Sequence, residues 1–118
     1  MNKKKTAKKL DLEKIRAMSS SWDDFMREEL ADPKRRKAYL EVSIEDYLED
    51  NDVDAFLESL QRLAKAKGGM AKIARKTGLS RESLYRTLSR RGNPQFRTVL
   101  GVIDALGMRV RIEPAGAR

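Results

Sequence analysis

The stretch GMAKIARKTGLSRESLYRTLS, residues 69–89, constrains the fold more than any other part of the chain. Two short apolar-patterned runs meet at one glycine, Gly78. Met70, Ile73 and Ala74 form the inner face of a first helix, and Leu84, Tyr85 and Leu88 that of a second. Ser80 is placed to cap the second helix, with Glu82 in its first turn where an acid suits the helix dipole. Gly78 supplies the turn, where a positive φ is expected. A helix-turn-helix needs a small residue at the crossing, a glycine in the turn and apolar anchors on the second helix. Ala74, Gly78, and Leu79 with Leu84 and Leu88 meet those needs.

That reading sets the role of the outward residues. Arg81, Glu82, Ser83 and Arg86 fall on the N-terminal, outward part of the second helix, the part a recognition helix presents to base edges. An arginine that bonds both O6 and N7 of guanine discriminates by roughly 1–3 kcal/mol. Lys72, Arg75, Lys76, Arg90, Arg91 and Arg97 surround them and suit phosphates, which add affinity and salt dependence but no sequence information. The competing reading is a helical hairpin with a solvated basic face.

Charge segregation separates these readings. The net charge is +8 over 118 residues. Residues 1–19 carry seven Lys/Arg against two acids, residues 20–60 five against thirteen, and residues 61–118 fourteen against three. The basic half suits a polyanion, which would repel the acidic segment. The chain has no cysteine and no histidine, so disulfides, thiolate metal sites and the commonest general base are excluded. No cofactor or metal is expected. The apolar runs fall far short of the ~20 residues a membrane span needs, and the lysines of MNKKKTAKKL lead into charged residues rather than a signal-peptide core. A cytoplasmic protein is expected.

Along the rest of the chain, residues 1–20 read as a basic, flexible tail, with Leu10, Leu12, Ile15 and Met18 able to form a helical turn or two. Ser21 is a candidate N-cap for a helix with Trp22, Phe25, Met26 and Leu30 on one face. Asp32-Pro33 starts a second helix, with Leu40, Ile44, Tyr47 and Leu48 as its apolar face. The run EDND ends it. Val53, Phe56, Leu57, Leu60, Leu63 and Ala64 define a third helix, stopped by Gly68-Gly69. After RRGNP, Phe96, Val99, Leu100, Ile103 and Leu106 mark a last helix ended by Gly107. MRVRIE, residues 108–113, alternates as a strand does, with Met108, Val110 and Ile112 on one face. A lone strand has no partner within the chain, so pairing with a second copy is expected.

From about Tyr47 to Pro114 the chain resembles the addiction-module antidote (antitoxin) proteins with a Cro/C1-type (XRE) helix-turn-helix, HigA-like. YLEDND, GMAKIARKTGLSRESLYRTLS and GNPQFRTVLGVIDALGMRVRIEP carry the likeness. The resemblance implies a mainly α fold: a five-helix Cro/C1-type domain over residues 51–114, extra N-terminal helices over 21–50, a short C-terminal strand and a tail at 115–118. It implies double-stranded operator DNA and a small basic toxin of the RelE/ParE/HigB kind as partners, a homodimer, and repression of the shared promoter. It also implies that Met70, at the start of the first motif helix, and Arg90, Arg91 and Asn93, in the loop after the second, approach the DNA backbone. Met70 stands where many such domains carry glutamine, and Thr77 and Thr87 stand at positions often apolar.

The acidic segment would complement a basic toxin. Trp22, Phe25, Met26, Leu30 and Tyr39 are its candidate anchors, with Asp23, Asp24, Glu28 and Glu29 steering. The alternative is that these apolar residues cover the protein's own core. Two further readings are a regulator without a toxin and a carboxylate- and metal-dependent nuclease built on Asp46, Glu49, Asp50, Asp52 and Asp54. EDNDVD lacks the spacing of a calcium loop and reads as a helix end.

Overall fold

The computed structural model describes residues 21–89 and 92–116. The tail 1–20, including Leu10, Leu12, Ile15 and Met18, and the loop residues Arg90 and Arg91 lie outside them. Six helices follow one another: α1, described over residues 21–29, α2 (Pro33–Asp50), α3 (Val53–Ala66), α4 (Met70–Thr77), α5 (Arg81–Thr87) and α6 (Phe96–Ala105).

The helix ends follow from local chemistry. Asp32 is the N-cap of α2, with Pro33 at its first position. Asn51 closes α2 in the left-handed conformation (φ 57°), its N–H donating to the Tyr47 carbonyl at 2.8 Å. Asp52 then caps α3, its Oδ1 accepting the Ala55 N–H at 3.0 Å, while Asp50 Oδ1 accepts the N–H of Asp52 at 2.9 Å. Asp50 and Asp52 of the EDND run are thus spent on ending one helix and starting the next. Among the described residues no cluster of acids is arranged to hold a metal ion.

α3 is the beam of the fold. It packs against α2 on one side and α4 on the other, and α4 packs on α5 and α6. Leu57, Leu60 and Leu63 of α3 meet Ile73, Leu84, Leu88, Val102 and Leu106, all sealed from solvent. Each such side chain contributes about 1.5–3 kcal/mol. Polar tethers fix the helices further. Gln61 Nε2 donates to the Leu88 carbonyl at 2.6 Å, joining α3 to the end of α5. Buried Arg36 donates from Nη1 to the carbonyls of Leu30 and Ala31, both at 3.0 Å, so α2 closes the C-terminal end of α1.

Several expectations need correction. α2 buries Arg36, Leu40 and Ser43, not the face through Ile44 and Leu48; Leu48 is 72 % exposed. The reason is tertiary: the carbonyls at the end of α1 need a donor, and Arg36 turns inward to supply it. Phe96 is 77 % exposed, because α6 enters the core only from Val99 onward, and Val102 takes the central place. Val53 and Tyr85 also lie at the surface. In the single chain residues 108–114 form no strand, nor do any other described residues. A strand exists only as part of a ladder, and the other described residues offer no second strand to pair with. Met108 leans on the core, while Val110 is exposed and Ile112 is 95 % exposed.

Candidate nucleic-acid interface

α4 and α5 are joined by a turn of three residues. Gly78 is left-handed (φ 79°), and Leu79 N–H donates to the Ala74 carbonyl at 3.1 Å, so the end of α4 is satisfied by the turn itself. Ala74, at the crossing, and Ile73 are buried. Ser80 Oγ accepts the Ser83 N–H at 3.0 Å and caps α5. Leu84 and Leu88 turn inward, so the opposite side of α5 faces solvent. Gly92 follows where a Cβ would collide with the Thr87 and Ser89 carbonyls, so only glycine fits there.

Arg81, Glu82 and Arg86 are exposed on that outer side. Ser83 is half-buried, and its hydroxyl accepts a hydrogen bond from the Ser80 hydroxyl at 2.9 Å, which draws it into the cap. Lys72, Arg75, Lys76, Asn93 and Arg97 are exposed as well. None of Lys72, Arg75, Lys76, Arg81, Arg86 and Arg97 has an ion-pair partner among the described residues. Met70 does not fit the role of a backbone contact through its side chain: the thioether is buried in the core, as an apolar group at that inward position should be.

One neighbour of the motif was missed. Tyr85 was expected inside; it is exposed and, with Arg81, Lys65, Arg27, Gly69 and Met70, lines an open recess of about 470 Å³. The signal was present, since Tyr85 follows Arg81 by four residues and therefore shares its helix face.

The other candidate surface lies on α1. Trp22 and Phe25 stack obliquely with ring centroids 5.9 Å apart, and both are about half exposed, 53 % and 52 %. Asp23, Asp24 and Glu28 are exposed around them. Asp24 pairs with Arg27 at 3.3 Å, and Glu29 with Arg35 at 2.9 Å. Leu30 is only 2 % exposed and is part of the core, with Met26 and Tyr39 packed against it. Tyr39 Oη accepts a hydrogen bond from Arg62 at 3.2 Å, which raises the Arg62 pKa above its ordinary value against the opposing effect of desolvation. Asp23, Met26, Glu58 and Arg62 line a smaller recess of about 160 Å³ between α1 and α3. Among the described residues no helix is long and apolar enough to cross a membrane.

Residues 25–114 match the family model described as "Probable addiction module antidote protein". An uncharacterized protein of Haemophilus influenzae (strain Rd) is 31 % identical over 96 residues, which is 81 % of this chain and 95 % of the relative. No solved structure matches the chain.

Proposed function

Because the chain belongs to the addiction-module antidote protein family, we propose that it is the antitoxin of a bacterial toxin–antitoxin pair, which binds a small basic toxin and represses its own operon through α4 and α5. The observation that carries the DNA arm is the outer side of α5, where Arg81 and Arg86 stand exposed and without an ion-pair partner among the described residues, beside Lys72, Arg75, Lys76 and Arg97. Surface arginines with no carboxylate partner within the fold are free to engage an anionic one. Arg81, Glu82, Ser83 and Arg86 read base edges in this scheme, as residues of a Cro/C1-type recognition helix acting in a homodimer. Lys72, Arg75, Lys76, Arg90, Arg91, Asn93 and Arg97 hold phosphates.

The toxin arm uses the start of the acidic segment. Trp22 and Phe25 give an exposed aromatic anchor ringed by Asp23, Asp24 and Glu28. That chemistry complements a small basic toxin of the RelE/ParE/HigB kind. Leu30 supports this surface from within the core.

The test is a pull-down of the C-terminally tagged protein from its native cell with nuclease present. Stoichiometric recovery of a small basic protein, lost on Trp22→Ala with Phe25→Ala, is the expected result. A protected promoter site with no co-purifying protein would mean a repressor without a toxin and would sink the toxin arm.

A further inference from the structure

The charges of α2 run against its own dipole. Its first turns carry Lys34, Arg35, Arg36 and Lys37, and its last turns Glu45, Asp46, Glu49 and Asp50. No acid stands in the first turn and no base in the last. An isolated helix prefers the reverse arrangement. The fold uses some of these groups: Arg35 pairs with Glu29 and Asp32, Lys37 lies 3.7 Å from Glu41, and Arg36 closes α1. Lys34, Glu45, Asp46 and Glu49 are exposed and have no ion-pair partner among the described residues.

The same helix borders an open groove of about 530 Å³. Leu40, Ile44, Ile103, Met108 and Val110 give it an apolar floor, and Lys34, Lys37, Arg109 and Arg111 a rim in which bases outnumber the single acid, Glu41, itself paired with Lys37. Residue 48 continues the face through 37, 41 and 44, and Leu48 projects there without cover. An occupant must therefore bring an apolar residue flanked by acids. A basic partner meets the wrong rim, and so does the basic segment 1–20. The acidic, leucine-bearing end of α2 itself has the required chemistry.

We propose that a second copy of this chain docks in this groove, α2 lying antiparallel to the partner's α2 about a twofold axis. Antiparallel pairing sets Lys34 and Lys37 of each copy against the partner's Glu45 and Glu49, and seats Leu48 on the apolar floor. It also sets each helix dipole against the other, so the charge order that burdens one α2 is satisfied twice by two. This arrangement rests on the homodimer of the proposed function, whose interface it names, and is independent of the toxin assignment. It is also distinct from pairing of residues 108–113, which form the groove's far wall.

Sedimentation velocity on the full-length chain tests it with two variants, Lys34→Glu with Lys37→Glu, and Glu45→Lys with Glu49→Lys. Each is expected to weaken self-association about 10- to 100-fold, because like charges then face each other at both symmetric contacts. Mixed in equal amounts, the two should form a heterodimer, identified by mass, as tightly as the wild type. All four positions are exposed, and circular dichroism checks that each variant folds; Leu48→Ser gives an uncharged control that should also weaken the dimer. A wild type that stays monomeric at roughly 100 µM overturns the proposal. So does a dimer indifferent to both charge variants but lost on Val110→Pro, the signature of strand pairing. A dimer that appears only after residues 1–20 are deleted overturns it too, since the tail then occupies the groove.

Discussion

The two halves of the molecule treat their cations in opposite ways. In α1 and α2, where acids outnumber bases, Arg27, Arg35 and Lys37 each lie against a carboxylate and Arg36 is buried against two carbonyls, which leaves Lys34 as the one cation there without a partner among the described residues. In α4, α5 and the start of α6, Lys72, Arg75, Lys76, Arg81, Arg86 and Arg97 meet no carboxylate among the described residues. A positive charge neutralised at home positions its own backbone. A positive charge left open on a rigid helix raises the local potential and is available to a polyanion. Net charge alone hides this difference.

Four substitutions sharpen the contrast. The largest effect is expected from Arg36→Met, which removes hydrogen bonds from a charged donor to two carbonyls and should cost about 3 kcal/mol in a urea melt. The loss should fall on the docking of α1 and leave operator affinity of the folded protein close to wild type. If operator affinity falls in parallel, the halves are not separable. Next comes Arg86→Ala, expected to lose roughly 1–3 kcal/mol at the operator and much less on random DNA, while Lys76→Ala weakens both alike and lowers the salt slope by about 1. Fluorescence anisotropy across a salt series reads both; equal losses on the two DNAs for Arg86→Ala would remove it from base readout. The smallest effect is expected from Arg35→Ala, under about 1 kcal/mol by thermal melting, because both of its ion pairs are exposed. A larger loss would mean that the pairs with Glu29 and Asp32 are part of the α1–α2 joint.

The legible parts of the fold were those where a local signal and the core agree. Gly78, Ser80 and the leucines at 79, 84 and 88 announce the α4–α5 turn before any packing is considered, and Asp32-Pro33 and Gly68-Gly69 mark real helix limits. The illegible parts were decided by what lies across the chain. Periodicity counts Arg36 as polar and Leu48 as apolar, yet the first is inside and the second outside, because open carbonyls at the end of α1 outrank hydropathy there. Phe96 and Tyr85 sit on the right helices but one step around from the core. For the interface, the basic outer face of α5 and the inward place of Met70 could be read from spacing, but whether Leu30 lies in the core or on a partner surface could not be told by residue type alone.

Gln61 and Arg62 join the two halves through neighbouring side chains of α3. The Gln61 amide holds the last carbonyl turn of α5 to α3, and the next residue, Arg62, reaches back to Tyr39 on α2. One helix thus carries the mounting of α5 and a contact of the acidic face on adjacent side chains. Any coupling that passes through this point is reciprocal. By whatever factor a ligand on the acidic face changes affinity for DNA, DNA changes affinity for that ligand by the same factor. Occupancy of one promoter site would then report how much free partner remains in the cell, and shortening Gln61 to Ala should blunt that readout while leaving both separate surfaces in place.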